Sequence, residues 1–262
     1  MSTHVFKLPS GVECEVKEFT GKHQRLLTEQ KNKNIAENLN EVLADVLVRV
    51  GSVKNVTLEF VLNMLACDRK KALVEARQFS MDDEPKFEFD YEYVDSNGES
   101  QVSHQSVDIS DGFPFKPLLV LTDDSFKEAD YKEYKDIEKV YELTLPRSQS
   151  KVRFTLLDGI GEQIGARTPK SKMSSHTALK MMRPEILVEK KDTEPTWIQL
   201  NLDNLSLKDI TYLRTSIKEI QGTVDTELKF EHPEHEDKPL EEKYVTVDLL
   251  GVLDFFFPSG TI

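Results

Sequence analysis

The residues in this chain that come closest to a known chemical motif are three glycines in its second half. Gly159, Gly161 and Gly165 follow a predicted strand and precede a predicted helix. Dinucleotide-binding sites use glycines in this context to bring backbone amides against a pyrophosphate. Here the last spacing is three residues instead of two, and no βαβ pattern surrounds the motif. The glycines therefore predict a helix start or a mobile loop, and they do not favour a nucleotide site.

Histidines and cysteines give little support for a metal site. His232 and His235 have the spacing of half a site, but structural zinc normally needs four ligands and no second pair lies nearby in the sequence. These histidines predict a solvated hairpin loop. Cys14 and Cys67 lie on apolar faces of a predicted strand and helix, which is typical of reduced thiols in a core. We expect no disulfide framework, no metal and no cofactor.

The sequence contains no clear hydrolase motif either. The chain has no Gly-x-Ser-x-Gly elbow for a nucleophilic serine. Its 47 acidic residues make paired carboxylates common, and such pairs are usually part of a solvated surface. We therefore expect a protein that is not an enzyme, with an enzyme of unrecognised type as the alternative.

Charge and terminal sequence restrict the partners and the compartment. The 262 residues include 34 basic side chains, and the formal net charge of −13 repels nucleic-acid phosphates and anionic lipids. The longest apolar runs are too short to cross a bilayer. The first residues lack the cationic start and apolar stretch of a secretory signal. We expect no nucleic-acid partner, no membrane association and a cytoplasmic location.

The elements that would position any site occur twice along the chain. Residues 6–21 and 143–159 share an apolar-x-Leu-Pro start, a polar turn, an alternating strand and a final Thr-Gly or Asp-Gly. Asp68 and Asp209 follow at a similar offset, and each half reaches a Phe-Pro step, at Phe113 and at Phe257. We interpret this pattern as a tandem duplication. The predicted domains are a first copy at 1–114, a linker at 115–138 and a second copy at 139–262 with an apolar C-terminal tail.

Each copy is predicted to contain a β-hairpin, a few helices and a second β-hairpin, which makes the fold class α+β. Thr20, Thr57 and Asp158 are predicted to cap the helices that follow them, and Asp68 to cap a later one.

Two further patterns predict element boundaries in the first copy. Apolar residues at helical spacing predict a helix from Leu39 to Val50 that ends at Gly51. Asn97-Gly98 predicts the turn of the second hairpin, with positive φ at both residues.

Two segments are candidates for binding a partner. Residues 164–184 form a basic island, with Arg167, Lys170, Lys172 and Arg183, that is either an exposed loop or a segment that orders against an acidic partner. The tail contains Phe255, Phe256 and Phe257, and three successive phenylalanines cannot all point into one core. At least one of them is expected to be exposed or buried by a partner.

Three motifs resemble the baseplate protein family of T-even-like, contractile-tailed phages. They are "FKLPSG…VKEFTG", "LACDRKKALVEARQFS" and the aromatic hairpin "KFEFDYEY", and the similarity covers about residues 6–110. Many family members carry cysteine pairs in that hairpin, where this chain has Tyr91, Tyr93 and the turn at 95–98.

The resemblance implies a structural protein of the baseplate hub that contacts hub and tape-measure proteins and self-associates as a ring. Such a protein is assembled in the host cytoplasm and retained in the virion. The alternative is a cytoplasmic tail-assembly chaperone that is absent from the mature particle.

Overall fold

A computed structural model places the chain in the α+β class, as predicted, with 36% helix and 35% strand. The structure describes residues 2–28, 35–81, 86–109, 112–118, 139–167, 175–188, 194–235, 239 and 243–249. Short antiparallel sheets alternate with helices along both halves of the chain.

The first half begins with a three-stranded antiparallel sheet and ends in a long hairpin. Alternating apolar residues form this sheet, in the order β1-β2-β3. Its elements are β1 (Thr3–Lys7), β2 (Glu13–Lys17), α1 (Gly21–Thr28), α2 (Ile35–Val46), β3 (Leu47–Val50), α3 (Leu58–Asn63), α4 (Ala66–Ser80), β4 (Lys86–Val94) and β5 (Ser100–Asp108).

The second half has a similar order of elements. A hairpin is again followed by helices and by a strand that pairs with the second hairpin strand, although one more strand joins the sheet, in the order β10-β9-β8-β7. A 3-10 helix at Leu202–Asn204 precedes α7 (Leu207–Ile220), the long helix of this half. The elements are β6 (Phe115–Lys116), β7 (Val140–Thr144), β8 (Lys151–Thr155), α5 (Gly159–Arg167), α6 (Ser175–Met181), β9 (Glu185–Val188), β10 (Thr196–Gln199), α7 (Leu207–Ile220), β11 (Thr223–Val224), β12 (Glu227–Glu231) and β13 (Tyr244–Asp248).

The two halves share one hydrophobic core. The backbone N–H of Ala66 donates to the carbonyl of Leu157 at 2.8 Å, which ties the start of α4 to the second half. The ring of Phe230 on β12 packs edge-on against Phe89 of β4. Strand β6 lies in the segment predicted as a linker, and it pairs with β11; residues 119–138 of that segment lie outside the described ranges.

One predicted boundary is wrong. Helix α2 ends at Val46, and the residues from Leu47 to Val50 form strand β3 instead of its last turn. Strand β3 pairs with β2, and Val50 lies opposite Cys14. Its valines are β-branched and pack well in a sheet, so this pairing outweighs the helical spacing.

Two of the predicted helix caps are confirmed. The Thr57 hydroxyl accepts the N–H of the residue three positions on at 3.2 Å, and the Asp158 carboxylate accepts the N–H of Gly161 at 2.8 Å. The Thr20 hydroxyl instead lies 3.2 Å from Nδ1 of His23. A side-chain oxygen at Thr57 and Asp158 therefore satisfies an amide that the helix leaves without a partner.

The second hairpin of the first half turns at the predicted place but with different geometry. Only Gly98 has positive φ, at 84°, so the prediction of positive φ at Asn97 is wrong. The carboxylate of Asp95 accepts the N–H groups of Asn97 at 2.9 Å and of Glu99 at 2.8 Å. Asp95 therefore holds this loop through its own side chain.

Candidate functional site

The predicted partner-binding residues fall largely beyond the part of the chain that is described. Lys170, Lys172 and the three phenylalanines at 255–257 lie outside the described ranges. Arg167 is the last residue of α5, and only its backbone position is described. Their proposed role in binding a partner stays a prediction.

Arg183, the fourth of the basic residues named for that segment, has an internal role. Arg183 follows α6 with φ of 49°, and its guanidinium donates to both carboxylate oxygens of Asp158, at 3.0 and 2.6 Å. Asp158 also caps α5. This bidentate ion pair fixes the connection after α6 to the start of α5, so Arg183 contributes to the fold.

The three glycines of the nucleotide-like motif lie at helix contacts. A Cβ on Gly159 would lie 2.9 Å from the backbone of Leu62, and one on Gly161 would lie 2.5 Å from the carbonyl oxygen of Met181. The amide of Gly161 is bonded to the Asp158 carboxylate, which places a negative charge where a phosphate would bind. This geometry supports the interpretation as a helix start, with glycine required for close packing.

His232 and His235 belong to an aromatic stack between two hairpins. Their rings stack with centroids 4.0 Å apart, and Tyr93 and Tyr91 of β4 meet His232 edge-on. Burial and the neighbouring His235 lower the pKa of His232, which favours a neutral ring. Within the described ranges, no three His, Cys, Asp or Glu side chains come together as a metal site.

Two buried aspartates occupy matching positions in the two halves. Asp68 lies in the first turn of α4, which begins at Ala66, so the predicted role as a cap is wrong. Its carboxylate accepts the N–H of Ser10 at 3.0 Å, in the turn after Leu8-Pro9. Asp209 in the first turn of α7 does the same in the second half, where it accepts the N–H groups of Arg147 at 2.8 Å and Ser148 at 3.2 Å. Each aspartate therefore fixes a long helix to its hairpin turn.

The Asp209 contacts predict an acid-sensitive part of the fold. Burial alone would raise the pKa of this carboxyl, but the amide of Arg147, the Ser206 hydroxyl and the amide of Ser148 outweigh it and hold the pKa below its usual value. The lowered pKa contributes stability above about pH 4, the unfolded value, and this contribution is lost as the pH falls through the folded value.

We expect Asp209→Asn to be less stable than the wild type at neutral pH and to approach it in stability below pH 4. Urea unfolding at a series of pH values measures this convergence. A constant stability deficit for Asp209→Asn across the acid range would contradict the role given to its charge.

Sequence reasoning missed a buried cation between the halves. Arg69 on α4 has a side chain that is 5% exposed, and its guanidinium donates to the Asn40 side chain on α2 and to the Glu162 carboxylate on α5. The sequence signal is weak, because Arg69 lies in the charged run Asp68–Lys71, which is typical of a solvated helix face. Arg69 instead joins elements from both halves.

The described part of the chain forms concave surfaces at three places. A groove of about 400 Å³ between α6 and α7 has a mainly apolar lining, with Arg214 and Lys218 at its edge. A second cavity of about 660 Å³, where the halves meet, includes Cys67 and Lys70. Burial and the charge of Asp68 raise the pKa of Cys67, so its sulfur stays a protonated thiol and a poor nucleophile. The third surface is a shallow groove on α7.

Most of the reactive side chains named above thus make contacts that hold the fold together. None of the helices in the described ranges is long and apolar enough to cross a membrane. No family model, curated protein or solved structure matches this chain.

Proposed function

We propose that this chain is a non-enzymatic structural component of the baseplate hub of a contractile-tailed phage. In this role it joins hub and tape-measure proteins during tail assembly in the host cytoplasm, and it remains in the virion. The motifs that resemble the baseplate family are the starting point, and the contacts between those motifs carry the proposal.

The resembling segments pack against one another as one unit. Ser10 of "FKLPSG" donates its N–H to Asp68 of "LACDRKKALVEARQFS". At the other ends of the same two segments, the N–H of Phe19 donates to the hydroxyl of Ser80 at 2.7 Å. Residues that define a resemblance and also bind each other are a coherent structural unit, which supports the family assignment more than isolated short motifs would.

A duplication of this unit is the second part of the proposal. Both halves have a hairpin, two helices, a third sheet strand, a long helix and a final hairpin. Asp68 and Asp209 make equivalent bonds at the start of that long helix. A repeated unit that presents two related surfaces suits a protein that links neighbours in a larger assembly.

The absence of an evident catalytic role among the described groups also supports a structural function. Asp158 and Arg183 bind each other, Asp68 binds the Ser10 amide, and the cysteines are buried thiols. Each of these three charged groups makes at least one internal hydrogen bond, and that structural role explains its presence without a substrate.

Quantitative mass spectrometry of purified particles tests the proposal. We expect the chain at a fixed copy number per tail, retained after high-salt washing, while an abundant host cytoplasmic protein is removed and serves as the control. Tails from a phage that lacks the gene should not assemble a complete baseplate. If the chain is required for assembly but absent from washed particles, it is an assembly chaperone and the proposal of a virion component is wrong.

A further inference from the structure

One face of α7 is exposed although it carries apolar residues. The α7 strip consists of five residues on this helix, and Pro146 completes the groove of about 530 Å³ beside them. Leu207 is 83% exposed and Tyr212 is 43% exposed. The members of the α7 strip are Leu207, Lys208, Thr211, Tyr212 and Thr215.

The equivalent face of α4 is covered. Because Asp68 and Asp209 make the same bond in the first turn of each helix, they fix the register between α4 and α7. In that register five residues of α4, here called the α4 strip, are equivalent to the α7 strip. Four of them are buried and one is half-buried, and Pro9 is equivalent to Pro146. The members of the α4 strip are Ala66, Cys67, Lys70, Lys71 and Val74.

The cover over the α4 strip comes from the ribbon formed by β6 and β11. A Cβ on Gly222, between α7 and β11, would lie 3.3 Å from Sγ of Cys67. Nζ of Lys71 lies 5.0 Å from the centroid of the Phe115 ring on β6, and the N–H of Leu118 donates to the Pro9 carbonyl at 3.2 Å. Gly222, which follows α7 in the second half, and the ribbon next to it thus lie on the α4 strip of the first half.

We infer that a second copy of this chain covers the α7 strip, head to tail, with the end of its α4. This inference rests on the duplication in the proposed function. If the halves are equivalent, the contact between first and second half recurs between the second half of one copy and the first half of the next. Met81 follows α4 as Gly222 follows α7, and the register fixed by the two aspartates makes them equivalent, so Met81 of the next copy would meet Lys208.

The composition of the α7 strip fits this occupant. None of its five residues is acidic, in a chain that has 47 acidic side chains, so the strip adds no repulsion between two copies of charge −13. Leucine, tyrosine and threonine gain from removal from water. A head-to-tail contact uses two different surfaces, and it closes into a ring when the rotation between copies divides a full turn.

The oligomeric state of the purified protein gives the first test, by light scattering coupled to size-exclusion chromatography. We expect the wild type to form species larger than a dimer at high concentration, and Leu207→Glu to be a monomer. Val102 on β5 is 62% exposed, and Val102→Glu is the matched control that should keep the wild-type mass. A monomeric wild type, or a Leu207→Glu variant that still assembles, would overturn the inference.

Cysteine cross-linking tests the direction of the contact. Cys14 and Cys67 are buried, so under mild oxidation introduced cysteines should react first. We expect the double variant Met81→Cys, Lys208→Cys to give a ladder of disulfide-linked chains, and each single variant to stay unlinked. Strong dimer formation by Lys208→Cys alone would show a two-fold contact and refute the head-to-tail arrangement.

The outcome of these measurements is separable from that of the proposed function, because they use the isolated protein. A ladder of linked chains together with absence from washed particles would refute the virion role and keep the inference. If the chain is present in particles but the wild-type protein is a monomer, the virion role is kept and the head-to-tail contact is refuted.

Discussion

Arg69→Met is expected to lower the free energy of unfolding by about 3 kcal/mol. The wild-type guanidinium bonds to Asn40, which is 2% exposed, and to Glu162 on the second half of the chain. Methionine keeps much of the side-chain volume, so the loss would come from the polar groups and not from a cavity. The Asn40 oxygen would lose its donor while buried, and the half-buried Glu162 would lose its cation.

A second arginine offers a matched control for this variant. Arg49 on β3 also binds two carboxylates, Glu13 at 2.5 Å and Glu15 at 3.3 Å, together with the Gly51 carbonyl at 3.1 Å. Glu13 is 39% exposed, however, and all three acceptors lie in the same half of the chain. Arg49→Met should therefore cost about 0–1 kcal/mol. Urea unfolding followed by circular dichroism measures both variants. If the two substitutions cost the same, Arg69 does not join the halves energetically as described.

The hairpins could be predicted from the sequence because their signals are local. Phe87 and Phe89 alternate with charged residues along β4, and both are buried in the structure. The Asn97-Gly98 pair gives the turn, although Asp95 sets its detailed geometry. Apolar residues at every second position, followed within a few residues by a turn sequence, are enough to predict such a hairpin.

The end of α2 could not be predicted in the same way. Apolar residues continue at helical spacing from Leu39 through Val50, and the sequence has no break at Val46 where the helix ends. What ends the helix is pairing with β2, more than 30 residues earlier in the chain. A contact at that separation outweighs local propensity and leaves no mark on the local pattern.

The charged residues of α4 show a second limit of sequence reasoning. The sequence predicts a helix cap at Asp68 and no role for Arg69 or Lys71, yet all three are buried. The partners of Arg69 and Lys71 include Glu162 and Phe115, which come from distant parts of the chain. Burial of α4 on most sides is a property of how the halves meet, so it follows from neither composition nor periodicity.

The predicted binding residues are affected by the same limit. Arg183 belonged to the basic island in the sequence, but the Asp158 carboxylate binds it inside the fold. The α7 strip was not predicted, because nothing in the sequence distinguishes the exposed Leu207 and Tyr212 from the buried Ile210 and Leu213 of the same helix. The structure shows that this face is exposed, and the covered equivalent face of α4 indicates that it can bind a partner.

Gly161→Ala is expected to destabilise the fold by about 1–3 kcal/mol. Gly161 lies in α5, and a Cβ there would lie 2.5 Å from the carbonyl oxygen of Met181 and 3.0 Å from Cδ1 of Leu157. The closer of these contacts is with backbone, so rotation of a side chain cannot relieve it. Helix α6 would have to move away from α5, and the packing between them would be lost.

Gly165 on the same helix provides the control for the effect of alanine itself. A Cβ there would lie 2.7 Å from Cε and 2.8 Å from Sδ of Met181, the flexible end of a side chain that can move aside. Alanine also favours the helix by up to about 1 kcal/mol relative to glycine. Gly165→Ala should therefore be nearly neutral, whereas Gly161→Ala should lower the urea midpoint at an unchanged slope. Equal midpoints for the two variants would mean that the approach of α5 to Met181 is not what requires glycine at position 161.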